Sequence, residues 1–465
     1  MGLKIGGEVE KVDGKLLSYA DFVEKYLVQN QPVILTGLMD HWRACKDWVL
    51  DNGDPNLRFL STYFGNSRVQ VADCGMREFT DQKRMGMSVS EFIDQWAQLS
   101  AARKDSGSDG NSLLYLKDWH FVKEYPDYVA YSPPKFFCDD WLNLYLDKYT
   151  MHNDPDTCQN RNEIMCSDYR FVYMGAKGTW TPLHADVFRS YSWSANVCGR
   201  KQWYFLPPSQ YHLVFDRHMK SSVYNIFEEV YKSNFTGLEE ATWWECTQEK
   251  NEIIFVPSGW YHQVHNLEDT VSINHNWFNG HNISWVWDLL LREYHEAREY
   301  IEDIKDISDD FEGLCQRNLA ANAGMNFYDF FVFMVRFSFA NLVLLCNLTS
   351  DTEKLSWSSS QVVPLVIFNL KSIQCIALKM ESSGQWKNSG VTVDLRETME
   401  DQTFMEFCNL MARTYGAIYE QSEKKSDADK VILEDMELSF LDFSGSRVCT
   451  PEDLVTFIDC ALKLS

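Results

Sequence analysis

The chain lacks any Cys-x-x-Cys pair or zinc-finger spacing among its 13 cysteines, so nothing in it reads as a structural zinc module. An odd number of scattered cysteines reads instead as reduced thiols in a cytosolic or nuclear protein. The opening MGLKIGGEVEKVDGK has no apolar core of the kind a secretory signal needs. Gly6 stands where N-myristoylation wants Ser or Thr, which sets that modification aside. Positive charge is also short: 43 Lys and Arg face 67 Asp and Glu, for a net charge of −24. Nonspecific attraction to nucleic acid or to an anionic membrane is therefore excluded as the main task. The acid excess suits a basic protein or peptide partner, and equally it suits plain solubility. Residues 326–348 are strongly apolar, but Asp329 and Arg336 interrupt them. The charge-free run after Arg336 is about 14 residues, against roughly 20 for a span, so a buried or docking helix is expected there.

What is present fills a large core: 45% of residues are hydrophobic, with 29 Phe, 22 Tyr and 16 Trp in 465. Such a composition excludes a mostly disordered chain and is enough for two or three domains. Ser18 with Asp21, and Ser88 with Glu91, announce helix starts. PVILTG (32–37) and LLYLKDWHF (113–121) read as strands, residues 136–149 as helix, and 105–112 and 151–162 as polar connections. From Tyr169 the texture becomes eight closely spaced strands, four before and four after a mixed insertion at about 209–240. That pattern predicts a mainly β core, a jelly roll or double-stranded β-helix, flanked by helices. Beyond residue 283 helices are expected at 286–304, 326–348 and 398–418. A last helix is capped by Thr450 with Pro451 in its first turn. Residues 349–392 show no clear period. The division expected is an α/β support at 1–165, the β core at 166–282 and a mainly helical region at 283–465.

His184 and Asp186 carry the chemistry. Residues i and i+2 of an extended segment point to one side, so both can reach one ion. His262, at the start of a strand after PSGW, can complete a triangular face of two imidazoles and one carboxylate. That is the donor set of a non-haem Fe(II) oxygenase. A His-x-Asp alone is common by chance, and Lys201 is what changes its weight. In the strand KQWYFL a buried ammonium needs an anion. A dicarboxylate chelating the metal at one end would place its other carboxylate there, with the Thr181 hydroxyl and a tyrosine as neutral donors.

GTWTPLHAD, CGRKQWYFLPP and FVPSGWYHQVHNLEDTVSINHNW resemble the Jumonji-C (JmjC) family of 2-oxoglutarate- and Fe(II)-dependent oxygenases, over residues 30 to 280. The resemblance implies a cupin-like double-stranded β-helix, Fe(II) on His184, Asp186 and His262, and 2-oxoglutarate and O2 as co-substrates. It implies that Lys201, Thr181 and Tyr115 hold the distal carboxylate and that Asn276 lies near the co-substrate. Ser194 stands where some relatives carry Asn. His265, three past His262, is expected to face away; His275 is expected to pack or support, and His212 and His218 have no partner motif. With no zinc module or chromatin-reader segment, the chain resembles the compact hydroxylase branch of the family. Its whole length resembles members for which the implied activity is carbon-4 hydroxylation of a lysine in the translation termination factor, in the cytoplasm. An N-methyl-lysine demethylase and an inactive cupin-like binding protein are the alternatives.

Overall fold

The computed structural model describes residues 2–106, 113–151, 168–228, 235–350, 359–386, 391–419 and 447–463. The chain folds into two compact units, Met1–Pro134 with Tyr169–Asn276, and Lys135–Asp168 with Trp277–Ser465. Of the connections expected at 105–112 and 151–162, residues 107–112 and 152–162 lie outside the described residues, while Asp105 and Ser106 end the helix Val89–Ser106 instead.

The first unit is built from two sheets. Its strands are β1 (Lys4–Glu8), β2 (Glu10–Asp13), β3 (Val33–Thr36), β4 (Arg68–Glu78), β5 (Asp81–Ser88), β6 (Leu114–Trp119) and β7 (Arg170–Gly175). They continue with β8 (Trp180–His184), β9 (Tyr191–Cys198), β10 (Lys201–Leu206), β11 (Thr242–Gln248), β12 (Ile253–Val256), β13 (Tyr261–Asn266) and β14 (Thr270–Trp277). One sheet runs β1-β11-β10-β13-β8 and the other β2-β3-β12-β9-β14-β7-β6-β4-β5. From β7 to β14 the chain supplies four strands to each sheet, which is the jelly-roll arrangement expected of the eight-strand pattern.

Alternation explains which residues fill the space between the sheets. Trp203 and Phe205 of β10, Val264 of β13 and Ile254 and Val256 of β12 form one buried cluster, closed by Ile34 and Trp260. β9 is buried at every position, because it lies inside its sheet with both faces covered. The N-terminal segment extends both sheets: β1 pairs with β11 and β2 with β3 in parallel, while β4, β5 and β6 continue from β7. PVILTG supplies β3, and Val33, Ile34 and Leu35 are buried. Ser88 and Glu91 close a reciprocal cap, Glu91 N–H to Ser88 Oγ at 3.2 Å and Ser88 N–H to Glu91 Oε2 at 2.7 Å. The helix Val89–Ser106 follows and buries Phe92 and Trp96.

The second unit is mainly helical. Its core helix is Phe327–Ser350, in which Phe330, Phe331, Phe333 and Phe337 are fully buried. The interrupting charge is accommodated: Arg336 donates to Tyr145 Oη at 2.6 Å and lies 4.0 Å over the Tyr149 ring. Phe327–Leu348 and Gln361–Ser382 are long and apolar enough to cross a bilayer; the first has 78% of its most apolar window buried, the second 44%. The part of the unreadable stretch that is described forms the helix Ser359–Ser382. Pro364 in its second turn and the buried Asn369, which donates to Tyr415 Oη at 2.9 Å, hide its period. The helix expected at 136–149 is shorter, Trp141–Leu146 after a 3-10 turn at Lys135–Phe137. Asp140 caps it, accepting from Asn143 N at 2.8 Å, so the segment before Trp141 cannot be helical with it. Thr450 and Asp453 form the expected capping box of Pro451–Leu462.

Candidate metal centre

β8 ends at His184 and pairs antiparallel with β13, which sets His262 directly opposite. The two imidazole centroids are 4.3 Å apart. Asp186 lies beyond the strand, yet its backbone stays extended (φ −57°, ψ 152°), so the i, i+2 geometry carries over. One ligand atom from each of His184, Asp186 and His262 falls within 4.8 Å of the others. Among the described residues no other group of three or more His, Cys, Asp or Glu is so arranged.

Each ligand is oriented by its own surroundings. His184 Nδ1 lies 2.8 Å from the Pro182 carbonyl and His262 Nδ1 3.1 Å from the Trp260 carbonyl. A carbonyl can only accept, so Nδ1 carries the proton and Nε2 presents its lone pair. Burial, and then the neighbouring His262, push the His184 pKa down to about 4, which keeps the ring in the neutral form a metal requires. Asp186 Oδ2 accepts from Ser192 Oγ at 2.7 Å. The chain turns sharply after Asp186, with Phe188 and Arg189 both at positive φ (55° and 52°). Arg189 Nη2 then donates to Tyr261 Oη at 2.8 Å, tying this turn to the residue before His262. Trp203 and Phe205 cover the His262 ring, with centroids at 5.6 and 5.7 Å.

Lys201 opens β10 at the far end of the same sheet, level with Asn266 of β13. It is 2% exposed, and its Nζ donates to Tyr115 Oη at 3.1 Å. Among the described residues it has no carboxylate within ion-pair distance. Burial, then the charge of Lys117, lower its pKa to about 7. Thr181 sits on β8 opposite Val264, half-buried, and is not hydrogen-bonded to Lys201 or Tyr115. Asn276 is placed at the metal end, its Nδ2 donating to Ser190 Oγ at 3.3 Å. Ser194 Oγ is buried without a partner.

The remaining histidines stay outside the cluster. His265 stacks on Trp180 at 5.7 Å and 6°, facing away as its register requires. His275 lies 2.5 Å from Tyr131 Oη and against Trp193. His218 contacts Arg217 on the surface, and His212 lies in the turn Pro208–Val214. Two residues near the site were not singled out by sequence. Ser192 gave no signal, since its reach to Asp186 depends on the turn between them. Lys117 did: two residues beyond Tyr115 in one strand, it shares that residue's face.

A family described as cupin-like domain matches residues 19–282, more than half the chain. The arginine-specific demethylase JMJ20 of Arabidopsis thaliana is 56% identical over 459 residues, covering 99% of this chain and 97% of that protein. The 2-oxoglutarate and iron-dependent oxygenase JMJD4 of Danio rerio is 40% identical over 322 residues, 68% of this chain and 72% of its own. JMJD4 of Homo sapiens is 37% identical over 325 residues, with the same coverage of 68% and 72%. The chain belongs to the cupin-like JmjC oxygenases.

The cofactors of this family are Fe(II), 2-oxoglutarate and O2, and the residues present fit them. Two imidazoles and a carboxylate converge, and a buried lysine with no ion-pair partner among the described residues lies along the same strands. Both are needed by a chelating dicarboxylate, and a plain sugar- or lipid-binding cupin needs neither.

Proposed function

We propose that this chain is a protein hydroxylase that oxidises carbon-4 of a lysine in the translation termination factor, in the cytoplasm. The His184, Asp186 and His262 cluster served by the buried Lys201 supports the oxygenase part of this reading. In this reading His184, Asp186 and His262 hold Fe(II), while Lys201, Tyr115 and Thr181 hold the distal carboxylate of 2-oxoglutarate. When bound, this pair activates O2: one oxygen atom ends in succinate as 2-oxoglutarate loses CO2, and the other enters a substrate C–H bond.

The chain's own residues do the positioning. Ser192 fixes the Asp186 carboxylate, and the carbonyls of Pro182 and Trp260 fix the two ring orientations. Trp203 and Phe205 keep water from the His262 side. Asn276 holds the Ser190 end of the turn that carries Asp186. The JMJD4 relatives support the oxygenase class, and the net charge of −24 is compatible with a basic protein target.

A second reading has its own support. The relative that matches 99% of the chain at 56% identity is named an arginine-specific demethylase. Oxidation of an N-methyl C–H uses the same site, and the product then falls apart to formaldehyde and the demethylated side chain. Mass spectrometry separates the two. The termination factor gaining one oxygen on a lysine supports hydroxylation. Formaldehyde from a methyl-arginine peptide, with no oxygen gained on the termination factor, replaces the first reading by the second.

A further inference from the structure

A second buried lysine lies beside the first, and among the described residues it too has no acid within ion-pair distance. Lys117 is 3% exposed and its Nζ donates to the neutral amide oxygen of Gln82 at 2.8 Å. Among the described residues no carboxylate reaches it within ion-pair distance. The two acids whose charges act on it, Asp81 and Asp118, are already committed: both pair with Arg84, and Asp118 also accepts from Tyr173 Oη at 2.6 Å. The Nζ atoms of Lys117 and Lys201 lie 5.3 and 5.7 Å from the centre of one ring, Tyr115. A buried ammonium with only neutral partners is expensive, so each of these two calls for an anion.

Register gives their order along the pocket. Tyr115 is paired with Gly175 and Leu116 with Met174, so the step to Lys117 runs along β7 away from residues 176–179. β8 leaves that same turn at Trp180 and runs to His184. On β13, Lys201 is level with Asn266 and His184 is level with His262. Passing from Tyr115 to Lys117 is therefore passing from the Lys201 end toward the metal end, by about 6.6 Å for two strand residues. Gln82, the partner of Lys117, is itself fastened to β8, donating to the Trp180 carbonyl at 3.1 Å.

We infer that Lys117 is a second carboxylate-binding group of this pocket: Lys201 takes the distal carboxylate of the co-substrate and Lys117 the carboxylate at the metal end. The inference rests on the oxygenase reading and adds a residue to it. Lowered basicity of both lysines, caused first by burial, agrees with amines that have no ion-pair partner to hold their charge in the free pocket.

The test measures binding, by calorimetry or ligand-observed NMR, to the full chain loaded with Mn(II). Three acids are compared: 2-oxoglutarate, 4-oxopentanoate, which keeps only the distal carboxylate, and 2-oxopentanoate, which keeps only the one at the metal end. Lys117→Met should weaken 2-oxoglutarate and 2-oxopentanoate by roughly tenfold or more and leave 4-oxopentanoate within about twofold. Lys201→Met should show the reverse preference. Lys117→Gln replaces the methionine variant if that does not fold. Equal weakening of all three acids by Lys117→Met, or no change for 2-oxopentanoate, overturns the inference. So does a wild type that binds 2-oxoglutarate but has no affinity for 2-oxopentanoate. Failure of the wild type to bind any of the three overturns the oxygenase reading itself.

Discussion

Binding of 2-oxoglutarate to the Mn(II)-loaded protein should draw a proton out of solution, and Lys201 is the reason. In the free pocket its pKa is lowered to about 7 by burial. A carboxylate at hydrogen-bond distance returns the ammonium to its ordinary, much higher range. At pH 8, one unit above 7, about one free molecule in ten carries the proton, whereas nearly every complex does. The expected uptake is about 0.9 proton per ligand, falling to about 0.1 at pH 6. The sign follows from the direction of the shift. The group is more basic in the complex, so affinity is flat below pH 7 and declines above it, by up to about tenfold per pH unit. Calorimetry in two buffers of different ionisation enthalpy reads the proton number as a slope. Lys117 is also lowered and can add to the total, so the informative quantity is wild type minus Lys201→Met. A difference of zero at pH 8 would refute the role given to Lys201.

Three further outcomes are expected. His184→Ala should lose Mn(II)-dependent 2-oxoglutarate binding and turnover while its circular dichroism stays that of the wild type; retained wild-type turnover would remove the metal assignment. Ser192→Ala deletes the 2.7 Å bond to Asp186, so metal affinity, followed by Mn(II) electron paramagnetic resonance, should fall roughly 10- to 100-fold. An unchanged affinity would mean that Asp186 needs no such support. Thr450→Ala breaks the capping box of the last helix and should cost about 1 kcal/mol, seen as a Tm lower by roughly 2–4 °C, with 2-oxoglutarate binding unaffected.

The β core was legible because its strands are short, its turns are marked, and its inward residues alternate; all eight strands from β7 to β14 fall where the pattern puts them. The metal cluster was legible for the same reason, since His184 and Asp186 obey the strand period even though the strand itself stops between them. The limits were physical too. The helix Ser359–Ser382 buries Asn369 in a side-chain network with Asn341 and Tyr415, and a polar residue facing inward breaks the apolar period that announces a helix. Asp140 read as one more helical residue, and it is the cap that begins a shorter helix. Lys117 was visible as a residue of the Tyr115 face, yet only the structure reveals that its ammonium meets an amide, and no carboxylate within ion-pair distance among the described residues. Ser192 reaches Asp186 across a turn with two left-handed residues, a geometry no periodicity encodes.

The most direct measurement is the intact and peptide mass of the purified translation termination factor after incubation with the enzyme, Fe(II), 2-oxoglutarate and O2. The prediction is one added oxygen on a lysine, with succinate formed in equal amount, and neither change with His184→Ala. A termination factor of unchanged mass, alongside formaldehyde release from a methyl-arginine peptide, would contradict the hydroxylase assignment.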